Sequence, residues 1–153
     1  MSKTYNPATV ANKFLELAQE EGRQLTPMTL IKLSYIAHGW SLALLKRPLL
    51  KGRIEAWRYG PVIPDLYQRL KTFGRGPVTG KIPKTIFERD EALDADAERL
   101  VEEVYEKYGK LTGIQLSHLT HKTDSPWFSA YKTDENNLIP DETIQRHYES
   151  LSG

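Results

Sequence analysis

The sequence predicts a mainly α fold: a compact bundle of about six to seven helices with one small β element or hairpin. Helix-start signals recur along the chain, at Asn6-Pro7, Thr26-Pro27, Ser125-Pro126 and Ile139-Pro140, each followed by apolar residues at helical spacing. Proline suits the first helical position because the amide it lacks has no intrahelical partner there. Against these, only one short stretch, Ile54 to Tyr59, alternates in the manner of a strand. A length of 153 residues with 39% hydrophobic content supports one core, so residues 1–153 read as a single domain.

In chain order, Asn6 is expected to cap a first helix carrying Val10, Phe14, Leu17 and Ala18, with Gly22 as its left-handed stop. Thr26-Pro27 opens a second helix to about Leu45. Its Leu30, Leu33, Ala37, Trp40 and Leu44 form one face, and Ile31, Tyr35 and Leu42 form a neighbouring one. Apolar character that broad predicts a central helix buried on more than one side. Arg47-Pro48 ends it. The extended segment then reads as one arm of a hairpin, broken by Gly60-Pro61, with Trp57 and Tyr59 on the same side. Pro64 starts a helix through Leu66, Tyr67 and Leu70 to about Phe73.

Gly74 to Phe87 holds Gly74, Gly76, Pro77, Gly80 and Pro83, and reads as a loop or loose hairpin, the part most expected to move. A helix from about Asp94 to Tyr108 buries Ala97, Val101, Val104 and Tyr108. Thr112-Gly113-Ile114-Gln115 has capping-box spacing and opens a short helix with Leu116 and Leu119. Ser125-Pro126 starts another with Trp127, Phe128 and Tyr131, and Ile139-Pro140 the last, with Ile144, Tyr148 and Leu151.

Composition narrows the chemistry. The formal net charge is +1, not the strong positive charge expected of a nucleic-acid binder. There is no cysteine, which removes disulfides, thiolate zinc sites and a cysteine nucleophile, and suits a cytoplasmic setting. No window reaches the roughly 20 apolar residues that span a bilayer, so no membrane role is expected. Charge is segregated: Arg69, Lys71, Arg75, Lys81 and Lys84 precede a mostly acidic run from Glu88 to Glu106. These patches are read as solvated faces, or as surfaces that meet each other or a partner.

Motifs for catalysis fail on inspection. Gly80-Lys81 lacks the glycine five residues earlier, where Arg75 stands, and is followed by Ile82 where a P-loop needs Ser or Thr. His118 and His121, three apart, have metal-ligand spacing, with Asp124 or His147 as further candidates, but no HExxH accompanies them and no metal or other cofactor is expected. No G-x-S-x-G elbow is present. The turn at Glu20-Glu21-Gly22 gives a helix-turn-helix look, yet the second helix offers only Lys32 before its apolar body. The residues by themselves read as a soluble helical domain with no recognised catalytic motif.

The large rings are the remaining unusual feature. Trp40, Trp57, Tyr59, Tyr67, Trp127, Phe128 and Tyr131 are many for a small domain; most belong in the core, and any exposed beside Arg53, Arg58 or Arg69 would make interaction hot spots.

Three stretches together carry a resemblance: Lys32-Leu33-Ser34-Tyr35-Ile36-Ala37-His38-Gly39; Glu55-Ala56-Trp57-Arg58-Tyr59-Gly60-Pro61-Val62; and Leu116-Ser117-His118-Leu119-Thr120-His121 followed by Ser125-Pro126-Trp127. Their order and spacing resemble the Panacea antitoxin domain family, which includes SocA-like antitoxins and phage-associated GepA-like proteins. The similarity covers roughly Asn6 to Tyr148.

The resemblance implies an antitoxin of a type II-like toxin–antitoxin system. Family members neutralise a cognate protein toxin, often encoded next door, by direct binding; small alarmone-synthetase-like toxins are among the partners. One branch instead acts as an adaptor that delivers its toxin to an ATP-dependent protease, and some relatives carry an added DNA-binding domain that regulates transcription. Nucleic acid is not the expected partner here, and a homo-oligomer is compatible with the sequence. The family motif falls on Lys32, Tyr35, Glu55, Ala56, Trp57, Tyr59, Gly60, Pro61, Val62, Thr120, His121, Pro126 and Trp127, either as architecture or as contact surface. The expected toxin-binding residues are Arg58, Tyr59, Arg69, Arg75 and Lys81.

Overall fold

A computed structural model describes residues 3–152. The helices are α1 (Pro7–Glu20), α2 (Pro27–Trp40), α3 (Pro64–Leu70), α4 (Ala95–Tyr108), α5 (Gly113–Thr120), α6 (Pro126–Tyr131) and α7 (Asp141–Ser152). Three short strands, β1 (Glu55–Trp57), β2 (Gly60–Val62) and β3 (Asn137–Leu138), form an antiparallel sheet in the order β2-β1-β3. The mainly helical expectation holds, and the small β element is a hairpin with a third strand added.

Helix α2 is the axis of the fold. It packs against α1, α3, α4, α5, α7 and β2, and only Met28 and Trp40 along it are not buried. The broad apolar surface read from the sequence is therefore a helix enclosed on nearly every side. Thr26 caps it by accepting the Thr29 amide.

After Trp40 the chain widens into a π-helical turn, Ser41–Leu45, which the sequence does not announce. An extra residue per turn rotates the downstream side chains off the α-helical face. Leu44, expected on the buried face with Leu30 and Leu33, is accordingly 53% exposed. One carbonyl of the wide turn is met from outside, by the Gln145 amide of α7, which donates to Leu42 O at 2.9 Å, and the turn's own Ser41 Oγ donates to Arg47 O at 2.7 Å just beyond it.

The buried His38 ties this corner to the chain on both sides. Its Nδ1 accepts the amides of Leu49 and Leu50 at 3.2 and 3.1 Å, which leaves Nε2 to donate to Asp141 at 2.9 Å. Tyr5 bridges in parallel to Leu50, closing the N-terminal segment onto the same loop.

Local signals mostly hold. The Thr112–Gln115 capping box forms in both directions, Ser125 caps α6, and Asp94 caps α4 by accepting the Ala97 amide. Arg47 grips the Asp94 carboxylate with two bonds at 2.8 and 2.9 Å, and this holds the carboxyl well below the usual range. The Asn6 expectation fails: its side chain makes no capping bond. Instead the Glu91 carboxylate reaches the start of α1, accepting the Asn6 amide and the Thr9 hydroxyl at 2.7 Å each. On α4 the inward face takes Leu100 and Tyr105, while Tyr108, expected in the core, is half-buried and accepts the Trp40 indole N–H. Leu119 and Leu151, also expected inside, are exposed because α5 and α7 lie at the rim of the bundle with one face to solvent.

Candidate functional site

The resembling stretches converge on the hairpin. Strand β1 pairs with β2 in the register Glu55↔Val62, Ala56↔Pro61, Trp57↔Gly60, so Arg58 and Tyr59 form the turn. Gly60-Pro61, expected to break the run, lies inside β2, because the chain reverses two residues earlier than the glycine and proline signal. Trp57 and Tyr59 therefore do not share one side of a single strand. Trp57 is half-buried with its ring 5.0 Å from Tyr67, whereas Tyr59 is 61% exposed at the turn.

Three backbone carbonyls at alternate positions, one on β1, one on the turn and one on β2, each accept from a side chain of a different helix. Trp127 Nε1 of α6 donates to Trp57 O at 2.6 Å. Ser117 Oγ of α5 donates to Tyr59 O at 2.6 Å. Lys32 Nζ of α2 donates to Pro61 O at 2.8 Å. An unpaired carbonyl buried away from water is costly, so the three donors fasten the hairpin to α2, α5 and α6.

Lys32 is only 2% exposed, and burial pushes its amine down to about 7. Gly60 accommodates it. The residue has φ +116°, and a Cβ there would lie 2.8 Å from Lys32 Nζ and 3.5 Å from Thr120 Oγ1. Thr120 returns its hydroxyl to Leu116 O at 2.9 Å. His121 bonds Ser117 O through Nδ1 and lies edge-on to Trp127, with centroids 5.1 Å apart. Trp127 in turn stacks on Tyr131 at 4.8 Å. Ala56, Val62 and Pro126 are buried, and Glu55 accepts from both Trp57 Nε1 and Arg53 Nε. Tyr35 lies in the core, edge-on to Tyr148, where burial raises its hydroxyl above the ordinary tyrosine range. Ser117 was the member of this set that motif reading did not single out; its position one turn before Thr120 and His121 was the available signal.

The expected toxin-binding residues occupy separate settings. Arg58 and Tyr59 sit together on the hairpin turn, the guanidinium 5.5 Å from the ring centroid. Arg69 is held within the chain: it pairs with Glu88 and with Asp65 at 3.6 Å, and donates to Pro83 O. Arg75 and Lys81 are exposed on the loop. The basic and acidic runs thus meet each other, through Arg69–Glu88 and Lys84–Asp90. The loop is also less loose than its glycines imply. It forms no hairpin, but Val78 and Ile82 are buried, the Val78 amide donates to Leu25 O, and the Asn12 amide group clasps Ile82 N and O at 2.8 and 2.9 Å.

His118 and His121 stack with centroids 5.7 Å apart. Among the described residues, no group of three or more His, Cys, Asp or Glu side chains is placed to hold a metal ion, and no helix is long and apolar enough to cross a membrane.

Comparison with known proteins places the sequence in a family. The family model described as "Antitoxin SocA-like, Panacea domain" matches residues 30–128. That span runs from α2 through the hairpin to α6 and contains Lys32, Ser117 and Trp127 with the hairpin they hold. Antitoxin SocA of Caulobacter vibrioides (strain NA1000 / CB15N) is 32% identical over 124 residues, covering 77% of this chain and 66% of that protein. The chain therefore spans just under two thirds of the length of the curated relative it matches. No solved structure matches. The chain belongs to the SocA-like antitoxin family and carries its Panacea domain.

Proposed function

We propose that this chain is an antitoxin, not an enzyme, that neutralises a cognate protein toxin in the cytoplasm by stoichiometric binding, as a single domain covering the toxin's active site or substrate entrance. Family membership carries this reading. The site geometry divides the labour. The motif residues Lys32, Gly60, Pro61, Thr120, His121 and Trp127 face inward and fasten the hairpin, so they act as architecture. Arg58 and Tyr59 on the turn, and Arg75 and Lys81 on the loop, face outward and supply contact. Arg69 acts by holding the loop through Glu88 and Pro83. The α2 helix, which a helix-turn-helix reader would offer to DNA, is almost wholly enclosed, so protein is the favoured partner over nucleic acid.

Co-expression with the product of the adjacent gene tests the proposal, scored by growth and by co-purification. Rescue of growth with a complex of fixed stoichiometry is the expected result, and mass spectrometry of the complex gives the toxin's class. Rescue that requires an ATP-dependent protease, with no stable complex, would replace neutralisation by an adaptor role.

A further inference from the structure

We infer that the outer face of α5 and the hairpin turn form one toxin-contact surface, apolar at Tyr59 and Ile114 and positively charged around them, which takes a segment of the toxin that presents an apolar side chain among carboxylates. The role rests on reading the chain as a toxin-binding protein.

The two elements are joined by a buried bond. Ser117 Oγ of α5 donates to Tyr59 O at 2.6 Å, so the turn is seated on the helix. Leu116, Ser117 and Thr120 face inward, and the remaining side of α5 is open to solvent. Ile114 lies one turn before Ser117, and His118 follows Ile114 by four residues, so both line the flank of the helix beside the turn. Ile114 is 69% exposed and Tyr59 61%. Met28 of α2 is also exposed and packs against Gly113, where a Cβ would lie 3.2 Å from its sulfur, so it extends the apolar surface at the start of α5.

The surface is already ordered. The Thr112–Gln115 capping box fixes the first turn of α5. His118 stacks on His121, which bonds Ser117 O and lies edge-on to Trp127. Little ordering is left to be paid for on binding, which favours affinity.

Charge selects the partner's chemistry. From Lys107 to Thr123 the chain holds no carboxylate. Arg58 on the turn and Lys110 and Lys122 on either side of α5 are exposed, and none forms a salt bridge among the described residues. Asp124 is the one free carboxylate beside them. Arg53 and Glu55 on the hairpin cancel each other, and Asp65 of α3 faces Arg69. Asp134 and Glu135 precede β3, which lies on the far side of β1 from β2 and α5. Three free cations against one carboxylate leave the surface positive, complementary to an acidic partner. A nucleic acid would meet the charge but leave Ile114 and Met28 in water, so an acidic protein segment fits better.

The test uses the full chain and the purified product of the adjacent gene as probe, with affinity measured by calorimetry and association by stopped flow. Tyr59→Ser/Ile114→Ser is expected to weaken binding at least about 100-fold, with an unchanged melting temperature because neither side chain is enclosed. Arg58→Glu/Lys122→Glu makes the surface negative and is expected to slow association and reverse the sign of its salt dependence. Wild type and the serine pair binding within about 3-fold of each other would overturn this surface while leaving the toxin-binding reading intact. No binding by wild type would overturn both. Salt-sensitive binding of a short single-stranded oligonucleotide that the glutamate pair abolishes, with toxin affinity unchanged in that pair, would assign the charge to nucleic acid and overturn the acidic-partner role. Sedimentation showing a wild-type dimer that the serine pair abolishes, with toxin affinity unchanged, would assign the surface to self-association and overturn it likewise.

Discussion

Gly60→Ala is the sharpest probe of how the hairpin is held. Two costs arise from the geometry. At φ +116° a side chain strains the backbone, and such conformations cost about 1–3 kcal/mol. The new methyl would also lie 2.8 Å from Lys32 Nζ. The amine sits at the end of a flexible stem, but it is enclosed, so it yields only by leaving Pro61 O. A hydrogen bond from a charged group contributes about 1.5–3 kcal/mol, and the sum is about 2.5–6 kcal/mol. That is a large share of the roughly 5–15 kcal/mol by which domains are stable. Urea unfolding followed by circular dichroism reads it directly. A cycle with Lys32→Met separates the two costs: with the amine already gone, Gly60→Ala retains only the backbone strain, so the double variant is less destabilised than the sum of the singles. A cost below about 1 kcal/mol for Gly60→Ala, or additivity within about 0.5 kcal/mol, would refute the close coupling of Gly60, Lys32 and Pro61.

Other perturbations probe the same core. Because burial lowers the Lys32 amine to about 7 while the unfolded chain keeps it near its ordinary 10.5, the unfolded state binds the extra proton between those values. Stability relative to Lys32→Met should therefore rise with pH from about 7 upward, by on the order of a few kcal/mol in all, and be flat below that; unfolding series from pH 5.5 to 9 check it, and a pH-independent difference would count against a buried charge. Trp127→Phe keeps a ring beside His121 but removes its bond to Trp57 O, for a loss of about 0.5–1.5 kcal/mol in chemical denaturation. At Gly39 a Cβ would overlap the Tyr148 ring, so Gly39→Ala should cost more than about 2 kcal/mol and displace α7, visible as lost amide protection there.

Much of this protein was legible residue by residue. Helix starts at Pro7, Pro27, Pro64 and Pro126, the caps at Thr26, Thr112 and Ser125, and the buried character of α2 all depend on neighbours within a turn or two, and the sequence carries those signals openly. The resemblance read from three stretches was legible for a related reason: their order along the chain is itself the pattern. Where each helix ends, and which way its faces turn, was harder. The π-helical turn after Trp40 is met by Gln145 of α7 at Leu42 O and by Arg47 O at the Ser41 hydroxyl, and no local signal marks it.

Tertiary structure alone decided what the motif residues do. Lys32 meets Pro61 across 29 residues, Ser117 meets Tyr59 across 58, and Trp127 meets Trp57 across 70. A lysine in sequence reads as a surface charge; only the closing of α2, α5 and α6 around the hairpin buries its amine and gives it a carbonyl to hold. The same closure cancelled much of the basic run against the acidic one, through Arg69–Glu88 and Lys84–Asp90, and left Ile86 and Phe87 standing outside. Composition set which groups were available, whereas long-range packing set which were spent on the fold and which remained free for a partner.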